Sequence, residues 1–150
     1  MVKQTVLIAL LILIASCKDQ LSPNQEQSSL KNTVTAYTDS STYYFNGYVS
    51  LSKFTIRNSS DSIAFFYHCG GRCAFYLDRK ENGQWVEKSS WGIICLAMYS
   101  GGIKQILKDS SYTDYARIYS PGTYRLVFPF SMRFSNSLSD SLVTNDFLVQ

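Results

Sequence analysis

Beyond residue 33 the apolar residues of this chain recur at every second position, in runs too short for anything but β-strands. Tyr124, Leu126, Phe128 and Phe130 are the clearest case: behind Pro121-Gly122 they fall on one side of an extended segment. No stretch with helical spacing competes. Aromatic residues make up 15% of the chain, with 11 Tyr and 9 Phe, against 17% charged residues, a balance that suits pleated, half-buried surfaces. The expected fold class is all-β, as an antiparallel sandwich of about seven or eight short strands, because no segment is long enough for a crossover helix.

The segments read as follows. Val49 to Arg57 is a strand whose Val49 and Leu51 share one parity and whose Phe54 and Ile56 share the other, which predicts a bulge near Ser52-Lys53. Asn58-Ser59-Ser60-Asp61 ends it. Ile63, Phe65 and Tyr67 alternate in the next strand, up to a Gly70-Gly71 corner inside His68-Cys69-Gly70-Gly71-Arg72-Cys73; Phe75 and Leu77 alternate in the one after. Glu81-Asn82-Gly83-Gln84 is the strongest turn signal, and it predicts a type I′ hairpin between Cys73–Lys80 and Trp85–Lys88. Gly92 to Met98 is apolar on both parities and is expected to be covered on both sides. Ile103–Leu107 and Tyr112–Tyr119 bracket the polar turn from Lys108 to Ser111, and Phe147 and Val149 close the chain as a last strand.

The N-terminus is different in kind. Lys3 precedes a nearly unbroken Val/Leu/Ile run from Val6 to Ile14. About ten residues span only ~15 Å as a helix, short of the ~30 Å hydrocarbon core, so the run reads as the apolar region of a signal peptide. Ile14-Ala15-Ser16-Cys17 resembles the lipobox of bacterial lipoproteins, in which the cysteine thiol receives diacylglycerol and the chain is cut just before it. That resemblance implies a signal peptide over 1–16, a lipidated Cys17 carrying fatty acyl chains such as palmitate, and a membrane attachment through them. Lys18 to Asn32 holds Ser, Gln, Asn and Pro with only two separated leucines, too little apolar area to offset the entropy of ordering it. Residues 17–32 are therefore expected to be lipidated cysteine and flexible tether, and 33–150 one domain. Lys18-Asp19 resembles the charged export tags of some Gram-negative lipoproteins, which implies the outer membrane of the bacterial cell envelope.

With Cys17 lipidated, Cys69, Cys73 and Cys95 remain in an oxidising compartment, where an odd number means one disulfide and one thiol. Cys69–Cys95 and Cys73–Cys95 both close a loop whose constraint is worth roughly 3 kcal/mol in the chain-entropy account. A net charge of +3 leaves no basic stripe for a phosphate backbone, so nucleic acid is not an expected partner.

FTIRNSSDSIAFFYHCGG, then FYLDRKENGQWVEKSS, a later cysteine and SPGTYRLVF together resemble the bacterial immunoglobulin-like domains of small lipoproteins, over about Val49 to Phe130. The resemblance implies an immunoglobulin- or fibronectin III-like sandwich, a Cys69–Cys95 disulfide with Cys73 unpaired, and a tyrosine corner at Tyr124, whose hydroxyl bonds backbone a few residues upstream. Sandwiches of this type host binding, scaffolding and inhibitory roles alike, and some relatives are protease inhibitors.

Few residues suggest chemistry. The only histidine, His68, adjoins Cys69, and strand neighbours point to opposite faces, which argues against a Cys-His dyad. Neither a Gly-x-Ser-x-Gly elbow nor a phosphate-cradling glycine loop is present. His68, Cys69, Cys73 and Cys95 would supply the four N/S ligands of a Cys₃His zinc site, although Cys95 lacks the paired Cys-x-x-Cys such sites carry. Asp78, Glu81, Glu87, Asp109 and Asp114 read as solvated surface. Tyr43, Tyr44, Tyr48, Tyr99, Tyr112, Tyr115 and Tyr119 are candidates for a carbohydrate- or protein-binding face, or for core. Asp61-Ser62-Ile63 and Asp140-Ser141-Leu142 resemble an O-glycosylation signal of exported proteins. The expectation is a non-enzymatic, cofactor-free, lipid-anchored envelope module with an envelope protein or glycan as partner; the alternatives are a protease-inhibitor or glycan-binding module and a Cys/His metal or thiol protein.

Overall fold

The computed structural model describes residues 34–91 and 101–150. Within them the chain is all-β, a sandwich of two sheets, and no helix occurs among the described residues. The strands are β1 (Val34–Thr38), β2 (Thr42–Tyr43), β3 (Ser50–Asn58), β4 (Ala64–Cys69), β5 (Arg72–Cys73), β6 (Phe75–Glu81), β7 (Gln84–Trp91), β8 (Gly101–Ile106), β9 (Ser110–Ile118), β10 (Gly122–Ser131), β11 (Asp140–Val143) and β12 (Phe147–Val149). Eight of these twelve have five residues or more; of the shorter four, β12 is the closing strand that the Phe147/Val149 alternation predicts, whereas β2, β5 and β11 are short pieces that pattern reading passes over.

The smaller sheet runs β1-β3-β9. In the larger sheet, β10 is flanked by β12 and β11 along one edge and by β6 and β4 along the other: Tyr124 pairs with both Phe147 and Arg79, and Phe130 with both Asp140 and Phe66. β7 continues the sheet from β6 and β8 from β4. All pairings are antiparallel except β2 with β12. β8 belongs to the larger sheet and β9 to the smaller, so the polar turn between them is where the chain changes sheets. Asp109 takes φ 54° there, and Ser110 Oγ donates to the Leu107 carbonyl at 2.6 Å.

The core forms between the sheets. Phe54 of β3 meets Phe128 of β10 at 5.0 Å between ring centroids and Phe75 of β6 at 5.8 Å, and Phe75 meets Phe128 at 5.7 Å. Three rings thus tie both layers, each ring adding about 2–3 kcal/mol by burial. Tyr124, Leu126, Phe128 and Phe130 are all buried, as their shared parity requires, and so are Phe147 and Val149. Asn82 and Gly83 take φ 50° and 81°, the pair of positive values a type I′ turn needs, and Glu81 pairs with Gln84 across it.

Two local expectations are corrected. β3 pairs with β9 in unbroken register from Ser50↔Ile118 to Asn58↔Ser110, so no bulge stands at Ser52-Lys53. Instead Ser50 and Ser52 keep the inward phase set by Phe54 and Ile56, and Leu51 turns to solvent, 55% exposed. Serine is small enough to fill inward positions without a change of register; its hydroxyl bears the cost, since Ser50 Oγ and Ser52 Oγ have no hydrogen-bond partner. The one register shift in the β6–β7 ladder falls at Leu77/Asp78, opposite Ser89 and Glu87. In β4, Ala64, Phe65 and Phe66 are buried together, so the strand is covered on both faces where alternation was expected.

Candidate functional site

The glycine corner is the point where the chemically interesting residues converge. Gly70 and Gly71 turn β4 back into β5 with φ 57° and 80°, conformations open to glycine without strain. The turn places His68 opposite Cys73 and Cys69 opposite Arg72. Arg72 then crosses to the other sheet and grips Asp114 of β9 with two bonds, Nε to Oδ2 at 2.7 Å and Nη2 to Oδ1 at 2.8 Å. Tyr112 donates its hydroxyl to Asp114 Oδ2 at 2.7 Å and accepts the Cys73 amide at 3.3 Å. Lys104 Nζ lies 4.6 Å from the centroid of the Tyr112 ring and donates to the Gly71 carbonyl at 3.1 Å. The result is a clasp between the sheets, built of charge-assisted bonds and a cation–π contact.

Its electrostatics follow from burial and pairing. Burial opposes the charge of Asp114, but hydrogen bonds from Arg72, Tyr112 and the Tyr115 amide outweigh it and hold the carboxyl below the usual carboxylate range. Asp114 in turn raises the Arg72 guanidinium. Burial, followed by the bond to Asp114, pushes the Tyr112 hydroxyl up. Burial pushes the Cys73 thiol up to about 12, against the opposing charge of Lys104. A covered thiol held protonated is a poor nucleophile and a poor metal ligand.

The residues singled out in the sequence divide around this clasp. Cys73 is a free, buried thiol, and Cys69 is disulfide-bonded. Cys17 and Cys95 lie outside the described residues, as do the expected signal peptide and tether, Tyr99 and Gly92 to Met98. The ring of His68 covers Gly102 on β8, where an added Cβ would sit 3.0 Å from His68 Nε2. Among the described residues no three His, Cys, Asp or Glu side chains come together as a metal site. Tyr124 donates to the Ser120 carbonyl at 3.0 Å and shares a 2.8 Å bond with Ser120 Oγ while its ring stays buried. Ser62 stands in an exposed turn, whereas Ser141 is half-buried on β11.

Two carboxylates read as solvated surface are not. Asp114 is in the clasp, and Asp78 receives Arg125 Nε at 2.9 Å across the β6–β10 ladder, while Arg125 also lies 4.4 Å from the Trp85 ring centroid. The tyrosines divide as well. Tyr112 belongs to the clasp, and the Tyr43 hydroxyl lies within hydrogen-bond distance of Asp39 and, at 3.0 Å, of the Lys53 carbonyl; burial, followed by the bond to Asp39, pushes it up to about 12. Tyr44, Tyr48, Tyr115 and Tyr119 are exposed. Tyr115 shares the outer face of the three-stranded sheet with Tyr37 and Leu51, neither of which the sequence singled out, and with Lys53, Arg57 and Arg117; register brings Lys53 opposite Tyr115 and Leu51 opposite Arg117. The signal for that face was the odd parity of Tyr37, Leu51 and Tyr115, legible only once β1, β3 and β9 are known to be neighbours.

No family model and no curated protein matches the chain. Among solved structures it is similar to the Northeast Structural Genomics Consortium target SoR45, with 13% identity over 78% of this chain and 85% of that one and a TM-score of 0.48. It is also similar to WR4, a C. elegans MSP family member, with 8% identity over 79% of this chain and 98% of that one and a TM-score of 0.41. A third similarity is to the Pseudomonas fluorescens alkylpurine DNA glycosylase AlkC, with 9% identity, 79% of this chain, 30% of that one and a TM-score of 0.39. The chain spans less than a third of that glycosylase.

Proposed function

We propose that this chain is an exported, lipid-anchored, immunoglobulin-like module that carries no enzymatic activity and presents a binding or structural surface at the bacterial envelope. The observation that carries the reading is Ile14-Ala15-Ser16-Cys17 directly behind a short apolar run. The two-layer sandwich with the Tyr124–Ser120 bond supports the immunoglobulin-like assignment. Cys95 is the partner assigned to Cys69, to be checked by peptide mapping without reduction. The test of the anchor is Cys17→Ser: the variant leaves the membrane fraction or stays unprocessed, and a variant that remains membrane-bound at the same apparent size refutes it.

A second reading, a glycan-binding module, is favoured by the outer face of the three-stranded sheet. Tyr37 and Tyr115 offer stacking surfaces there, and Lys53, Arg57 and Arg117 offer cations, which suits an acidic glycan. Binding to an acidic polysaccharide that Tyr115→Ala abolishes without loss of stability would support it; equal binding by both proteins would refute it.

A further inference from the structure

Among the described residues β9 is an edge strand of the three-stranded sheet, nine residues long and without proline or glycine. Such an edge is a template for another strand unless something blocks it. In an antiparallel ladder the N–H and C=O of one residue point to the same side, so alternate residues of β9 present both groups to its free edge. Tyr115 is one of them, because neither of its groups is used by β3: its N–H donates to Asp114 Oδ1 at 2.8 Å and its carbonyl accepts Arg72 Nη2 at 2.7 Å. The parity extends to Ser111, Thr113 and Arg117. The Arg72–Asp114 pair therefore does two things: it joins the sheets, and it occupies the hydrogen-bonding groups near the middle of the open edge.

We propose that this pair is an edge guard, and that the strand it excludes is β9 of a second copy of this chain. The sequence of β9 suits self-pairing once the guard is gone. With Tyr115 opposite its symmetry mate, Arg117 faces Thr113 and Asp114 faces Ala116, so no like charges meet and an aromatic pair forms at the centre. The contact is two-fold and closes on itself, so the product is a dimer with a continuous six-stranded sheet, not a fibre. This inference does not depend on the anchor or on a glycan.

The test is sedimentation of the full chain in detergent as wild type, Arg72→Ala and Arg72→Ala with Thr113→Pro. Proline at 113 removes an outward N–H and leaves the ladder with β3 intact. The wild type is expected to be monomeric, Arg72→Ala to dimerise at least about tenfold more tightly, a change of roughly 1.4 kcal/mol, and the added proline to restore the monomer. A folded Arg72→Ala that stays monomeric overturns the proposal, and so does association that Thr113→Pro fails to reverse or a wild type that dimerises as tightly as Arg72→Ala. Should Arg72→Ala not fold, Arg72→Lys is read by the same criteria, because a single ammonium cannot reproduce the fork that holds Asp114 and the Tyr115 carbonyl together.

Discussion

Replacing Asn58 is expected to be the most damaging single change to a polar residue in this domain. Asn58 ends β3 with no exposed surface, and every polar atom of its amide is used. Nδ2 donates to the carbonyls of Ser62 at 2.8 Å and Ile106 at 2.9 Å, while Oδ1 accepts the Ser60 amide at 3.0 Å and the Ser60 hydroxyl at 2.6 Å. One side chain thus holds the β3–β4 turn and ties it to β8. Asn58→Ala removes four bonds and strands buried partners; at about 1 kcal/mol per lost bond, and more for a group left unpaired, the cost is roughly 3–5 kcal/mol. For a domain of this size that lowers Tm by roughly 10–20 °C. Asn58→Asp keeps the shape but turns an acceptor toward two carbonyls, which favours the protonated acid in the folded state. A carboxyl whose folded pKa lies above its unfolded value loses stability as pH rises, by up to about 1.4 kcal/mol per pH unit between the two values. Urea unfolding of both variants at pH 4 and pH 7 is the assay. An Asn58→Ala within about 1 kcal/mol of wild type, or an Asn58→Asp whose deficit does not grow from pH 4 to pH 7, refutes the reasoning.

Three further outcomes follow from the geometry. Tyr124→Phe keeps the ring and loses the bonds to Ser120, so it is expected to cost about 1–1.5 kcal/mol in urea unfolding, with the spectrum of the folded state unchanged. Asp114 has a depressed folded pKa, so its contribution is complete above the unfolded value near pH 4 and disappears as pH falls through the folded one; Asp114→Asn is expected to show a smaller loss of Tm on acidification than wild type. Cys73, buried and shifted to about 12, is expected to resist iodoacetamide at pH 8 in the native protein and to react at once in denaturant.

Legibility in the sequence tracked how local the determining physics is. The parity of β10 and the Asn82-Gly83 turn were readable because one strand face and two φ angles settle them. Asn58 was read only as a strand breaker: the same amide that ends a strand also serves as a buried hub, and nothing nearby in the chain names Ile106 as its partner. The clasp was hidden for the same reason. Arg72 and Asp114 are 42 residues apart and lie on different sheets, so their meeting depends on the order of strands, which composition and spacing do not encode.

The inverted stretch of β3 connects these points to the surface. Burying Ser50 and Ser52 while exposing Leu51 opposes the usual pattern, and a phase slip by one residue would exchange them. That slip would also turn Phe54 and Ile56 out of the core, two large side chains against one leucine, so the core sets the phase and Leu51 goes outward with it. What remains on the outer face, Leu51 with Arg117 opposite it and Tyr115 one outward position further along, and Tyr37 opposite Thr55, is exposed apolar surface that the fold itself does not use. Departures of this kind from internal consistency concentrate where a protein meets something else. The guarded edge of β9 borders the same face, so a strand added there would lengthen the sheet that carries it, and the Arg72–Asp114 clasp keeps that sheet at three strands.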